Sequence, residues 1–432
     1  MTKQGRVCVV AAGPGRAQHE EGKKYDCIAM SSSSSSPRKV IIKVFDPHFH
    51  VWDVDARPNG NLGKLPDSYR AVSLKDYERA VGSALEAISF SEKSKTCGVV
   101  PVRSETSRLF GDAGDEKSLN NLNSAGILEE DPATELASLA FVHVGGVHVE
   151  TVVGQDGKEG SPVVDGKEET TFVLDALHPS KSSTTSNPKL WRIVAYADLS
   201  ERNSGSLAAD LSHHETTIAD NDSNIKLSGV RMILNHHEDE ARGITWPQVS
   251  RDFLQRGNSA NGEFFENYAT LGISGLSFDL QCNPHQLLEA AVLASTNPDI
   301  KIAVNHLACL HLTGDGWGEE NDLLVDEWRD GMHALSHHPN VYVKISMLPF
   351  LCENFWQSEA ASRRVREIAE ETVAIFGYER CMIASNFPVD VLSGLTAEKM
   401  YETFFSIFRT HGIENIQALF GGTAANFYGA RI

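Results

Sequence analysis

Eight short β-branched runs, set apart by helix-like and polar sequence, predict an α/β fold whose parallel strands close into a (β/α)8 barrel. Two further observations favour it. No G-x-G-x-x-G follows the first run, which places a doubly wound open sheet second. Histidines and polar residues also gather where several runs end, the face on which barrel chemistry collects.

The strand candidates are residues 40–45, 139–143 running towards 147–149, 193–196, 229–233, 275–280, 302–305, 341–345 and 382–384. Among the helical stretches, 284–295 has the clearest start: Asn283 as N-cap, Pro284 at the first position and Gln286 completing a capping box. Residues 322–336 and 358–376 show helical spacing, the latter stopping at Gly377. Residues 396–410 carry Met400, Phe404, Ile407 and Phe408 on one face.

The 432 residues nearly double the roughly 250 of a simple barrel. The surplus is polar. Residues 1–39, with six serines from Ser31 to Ser36, read as a disordered tail, and 40–432 as the barrel domain. Stretches near 103–132, 154–169 and 201–224 show neither hydrophobic period and read as loop insertions, which lengthen a loop at small entropic cost.

A formal charge of −19 opposes nucleic acid and anionic membrane, and no apolar run reaches the ~18–20 residues of a membrane span. Seven scattered cysteines without C-x-x-C fit reduced thiols, so the expected location is the cytoplasm. The expected partner is a small-molecule substrate, with self-association left open.

His48 and His50 stand two apart at the end of the first run, so both rings face one way. Seventeen histidines give about 0.7 such pairs by chance, so the strand-end position carries the argument. His306 ends another run and supplies a third nitrogen, the number a catalytic zinc commonly uses. Trp52 could wall a pocket or belong to the core, and His148 and Glu150 share a face. The pairs His236-His237 and His337-His338 point to opposite sides, the second towards solvent. No G-x-S-x-G supports a serine nucleophile.

The stretches Asp46-Pro47-His48-Phe49-His50-Val51-Trp52-Asp53, Val147-His148-Val149-Glu150, Gly229-Val230-Arg231, Leu276-Ser277-Phe278-Asp279-Leu280-Gln281, Val304-Asn305-His306, Val343-Lys344-Ile345-Ser346 and Ala384-Ser385-Asn386-Phe387-Pro388 occur in this order. In this the chain resembles the amidohydrolase-related proteins, specifically the amidohydrolase-2 branch that includes sugar-lactone and pyrone-dicarboxylate lactonases.

The resemblance implies a distorted (β/α)8 barrel with long loop insertions, and a hydrolase in which water attacks a small, carboxylated lactone or cyclic ester. It places His48, His50 and His306 where the family binds metal or polarises substrate directly. One divalent ion, zinc before others, or no metal is expected. Arg231 matches a family arginine suited to a substrate carboxylate or oxyanion. Lys344 could neutralise an acidic substrate.

One departure stands out. The family usually has Ser-Asp-Trp-Pro at the last strand, and here Asn386 replaces the proton-accepting Asp. An amide cannot accept that proton. Asn386 could still orient water, and Asp390 could substitute if the loop turns back. The strand-five end lacks the histidine of related non-oxidative decarboxylases, which makes that activity the alternative. A catalytically degenerate, metabolite-binding barrel is the other.

Overall fold

In the computed structural model, the described residues are 39–55, 66–94, 138–151, 166–177, 189–200, 204–219, 224–238, 249 and 251–432. The expected tail over 1–39 and the expected insertions near 103–132 and 154–169 lie outside them, except that Lys39 opens the first strand and 166–169 open a helix instead of closing a loop.

Eight parallel strands form one sheet in sequence order: β1 (Lys39–Phe49), β2 (Ser138–Val149), β3 (Leu190–Tyr196), β4 (Ile225–Ile233), β5 (Ser277–Gln281), β6 (Ile302–Val304), β7 (Val341–Ile345) and β8 (Cys381–Ile383). A helix follows each: α1 (Leu74–Ser94), α2 (Gly166–Leu177), α3 (Ser204–Ala219), α4 (Gly262–Ser274), α5 (Leu287–Thr296), α6 (Glu319–Ser336), α7 (Glu359–Phe376) and α8 (Ala397–Phe408). This is the (β/α)8 succession.

Local chemistry explains several boundaries. Gln286 Oε1 accepts from Asn283 N at 2.9 Å, the capping-box contact ahead of α5. Ser358 and Thr396 cap α7 and α8 through their hydroxyls. Two expectations need correction. The polar stretch 201–224 is not one loop, because α3 occupies most of it and buries Leu207, Leu211 and Ile218. Gly275 does not open a strand. At φ 66° it ends α4 in the left-handed conformation that glycine adopts without a steric penalty, and β5 starts at Ser277.

Strand alternation separates two cores. Phe278 and Leu280 of β5, Ile302 and Val304 of β6, and Val341, Val343 and Ile345 of β7 pack outward with the helices. Phe45, Val147, Val149, Val194, Ala303 and Met382 pack inside with Ala424, Ala425, Phe427 and Tyr428 from the C-terminal segment. Period two therefore turns Asp279 and Lys344 inward with the second set.

β1 and β8 meet only near their C-terminal ends, where His50 N donates to Phe387 O and Asn386 N to His48 O, both at 2.8 Å. Lower down, a π-helical turn (Ala418–Gly422) packs against β1. The preceding Gln417 amide meets both Lys43 backbone groups, at 2.9 and 3.0 Å, as a neighbouring strand would. A methyl group on Gly421 would sit 2.3 Å from Lys43 O. Gly421→Ala should therefore destabilise the protein by about 1–3 kcal/mol in denaturant unfolding; an unchanged midpoint would mean the turn can back away from β1. No helix among the described residues is long and apolar enough to cross a membrane.

Candidate active site

Two or three residues beyond the ends of β6, β7 and β8 stands a residue bent into left-handed backbone: His306 (φ 57°), Met347 (φ 59°) and Asn386 (φ 48°). At His306 the bend continues through Leu307, Ala308 and Cys309, all between 51° and 56°, with no glycine to ease it. Such strain persists only where surrounding structure imposes it. All three residues line a cavity of about 30 Å3 at the barrel mouth, with His50, Trp52, Glu150, Arg231 and Gln281.

His48, His50 and His306 are buried, with the His48 ring 4.9 Å from His50 and 4.5 Å from His306, centre to centre. Burial holds all three imidazoles well below their ordinary range. The Lys344 ammonium reinforces this for His48, and the Arg231 guanidinium for His50 and His306. They are neutral at pH 7.

Hydrogen-bond partners assign two tautomers. Val149 O lies 2.7 Å from His50 Nδ1 and can only accept, so that nitrogen carries the hydrogen and Nε2 the lone pair. Lys344 Nζ lies 3.3 Å from His48 Nδ1 and donates to it. The His48 hydrogen is then on Nε2, facing His50 Nε2 at 3.2 Å. His306 Nδ1 pairs with Ser346 Oγ at 2.8 Å.

A zinc ion on His48 Nε2 would need the hydrogen on Nδ1, aimed at an ammonium group. Among the described residues, no three His, Cys, Asp or Glu side chains are placed to hold a metal ion. The residues present do not fit a resident divalent ion, so no step is derived through one.

Arg231 bonds Glu150 through Nε, the Glu150 carbonyl through Nη2 at 2.6 Å and Gln281 through Nη1 at 3.0 Å. Trp52 donates to Tyr69 O at 2.8 Å and stacks beside His50. Lys344 is off the cavity wall: fully buried, it pairs with Asp279, and burial pulls it down to about 8 against that pairing. This corrects its expected role as a substrate contact. Asp390 lies behind Asn386, whose Nδ2 donates to Asp390 Oδ1 at 2.7 Å. Burial pushes this carboxyl up to about 8. His337 is exposed at the end of α6.

Asp46, Asp279 and Tyr428 were not singled out by sequence. Asp46 receives Ser385 N at 3.0 Å, the Ser385 hydroxyl and Tyr77 Oη at 2.9 Å, so it ties β1 to the segment after β8. Asp279 was detectable as an acidic residue on the inward period of a buried strand. Asn386→Ala should lower turnover at least about tenfold, because the amide lines the mouth and bonds to His50; unchanged turnover would remove it from the mechanism.

A groove of about 500 Å3 lies apart from the mouth, lined by His237, Asn283, His285, Leu310, His311 and Glu327 among others. Gln281 joins Arg231 to Asn235 at 3.2 Å, and Asn235 donates to Asn283 at 2.7 Å, so one hydrogen-bonded chain runs from the mouth to the groove wall.

Comparison with known proteins agrees with this architecture. A zinc-bound amidohydrolase from Burkholderia multivorans superposes with a TM-score of 0.57 at 15% identity, over 91% of this chain and 100% of that one. A Pseudomonas putida protein assigned as a 2-pyrone-4,6-dicarboxylic acid hydrolase gives 0.50 at 18% identity, over 90% and 99%. These likenesses are of fold. The uncharacterized protein y4mH of Sinorhizobium fredii is 32% identical over 237 residues, 55% of this chain and 69% of its own length. With the amidohydrolase family model matching residues 181–430, the chain belongs to the amidohydrolase family.

Proposed function

We propose that the protein is a metal-independent hydrolase that opens a small carboxylated lactone or cyclic ester. The observation that carries this reading is the set of three neutral imidazoles beside Arg231. Three of the five guanidinium donors are committed within the protein, which leaves two for a substrate carboxylate or a developing oxyanion. The His48 Nε2–H donates to the lone pair on His50 Nε2 and so fixes the ring that lines the mouth, and the two uncommitted Arg231 donors meet the carbonyl oxygen.

His306 pairs with Ser346 Oγ through Nδ1, and in this reading it carries its hydrogen there, so that its Nε2 lone pair faces water. Because Asn386 gives its amino group to Asp390, its carbonyl oxygen accepts from the same water and orients it. His306 then takes the water proton as the oxygen attacks the carbonyl carbon. The ring C–O bond breaks, and His306 returns that proton to the leaving alkoxide.

The P. putida relative's assigned substrate, a cyclic ester bearing two carboxylates, supports the substrate class. The four described cysteines are free and buried, which supports a reducing, cytoplasmic setting. A pH-indicator screen of aldonolactones and pyrone dicarboxylates, with and without chelator, tests the reading. Acid release that survives chelation is expected. Carbon dioxide release without net acid would give the decarboxylase, and silence from folded protein a binding barrel.

A further inference from the structure

Beneath the three imidazoles the barrel interior is not closed by apolar side chains alone. Asp279 of β5 and Lys344 of β7 form an ion pair with both side chains fully buried. Burying two charges is costly, and a buried pair often stabilises less than apolar packing would. Its retention here calls for a role, and its contacts supply one.

The C-terminal segment reaches this pair from below. Tyr428 Oη donates to Asp279, at 2.9 Å from Oδ2 and 3.0 Å from Oδ1, so a single proton spans both carboxylate oxygens. The Lys344 ammonium stands 5.4 Å from the centre of the Tyr428 ring. The segment is itself clamped: Arg192 donates to the carbonyls of Tyr428 at 3.1 Å and Gly429 at 2.8 Å, and Ser228 Oγ to that of Tyr428 at 3.0 Å. Above, Lys344 reaches His48 Nδ1. One chain therefore joins the last turn of the protein to the mouth, through Tyr428, Asp279, Lys344 and His48.

We propose that Tyr428 is a positioning residue for the reaction: by orienting Asp279 it holds Lys344 under His48 and fixes that imidazole as the Nε2–H tautomer that donates to His50 Nε2 at the cavity wall. This rests on the hydrolase reading for its consequence in turnover, but not for the tautomer. Without the phenol, Asp279 keeps only the long bond from Asn305 Nδ2, at 3.3 Å, beside the ammonium, so the carboxylate can rotate and Lys344 can draw away from Nδ1. The ring is then free to flip or to move its hydrogen, and it turns a lone pair on that of His50, whose ring loses its anchor at the mouth.

The test is nitrogen NMR of protein labelled with 15N-histidine, recorded without substrate at fixed pH, with His48 assigned by its absence in His48→Gln. Wild type is expected to show Nε2–H at His48. Tyr428→Phe, which keeps the ring, is expected to mix the tautomers and to lower kcat about tenfold with KM nearly unchanged. Tyr342→Phe, altering another ring in the same apolar cluster without touching Asp279, should do neither. Nδ1–H in wild type overturns the proposal whatever the variant does, as does a folded Tyr428→Phe with unchanged tautomer. If no lactone is opened yet the tautomers mix as expected, the function reading fails and this one stands.

Discussion

Replacing His306 by asparagine is expected to lower kcat/KM by about 100- to 10,000-fold, the usual contribution of a positioned general base. Asparagine suits this test because it tolerates left-handed backbone, and φ at this position is 57°. Its side chain can still meet Ser346, so the fold should persist. Initial rates on the lactone identified by the screen, with a melting curve for each protein, decide the matter. A folded variant that retains most of its rate would move the base elsewhere in the mouth.

The second large effect is in stability. Asp390 is buried, accepts one bond from Asn386, and has its carboxyl pushed up to about 8. In the unfolded chain a carboxyl titrates near ~3.9. Below that pH both states hold the proton and the residue is neutral to stability. Between about 4 and 8 only the unfolded state ionises, so the folded state loses about 1.4 kcal/mol for each pH unit. Above the folded value the loss levels off. Asp390→Asn removes this titration and keeps an oxygen for Asn386 Nδ2. Its stability advantage over wild type should be near zero at pH 4 and grow to a few kcal/mol by pH 8, read from denaturant unfolding at each pH. A difference that stays flat with pH would mean the native carboxyl ionises normally.

The strands were legible because their β-branched runs are short and bounded, and residues 341–345 match β7 in both ends. Helix α3 was not. Leu207, Leu211 and Ile218 are its widely spaced buried apolar positions, diluted by Ser, His, Glu and Thr. The histidines of the site could be read because each stands at a strand end, where sequence pattern and chemistry coincide. What could not be read is which nitrogen each imidazole offers. That depends on Lys344, Val149 and Ser346, which only barrel closure brings to the rings. Tyr428 lies 149 positions from Asp279, and no periodicity links the two.

The left-handed run from His306 to Cys309 bears on how the protein would respond to selection. Each non-glycine residue held there costs roughly 1–2 kcal/mol relative to right-handed backbone. Ala308 is the residue with least side chain to lose. A library screened for heat resistance alone should therefore accumulate glycine at 308, while a library screened for turnover should reject it, since a relaxed turn no longer aims His306. The same few residues would be drawn in opposite directions by durability and by chemistry.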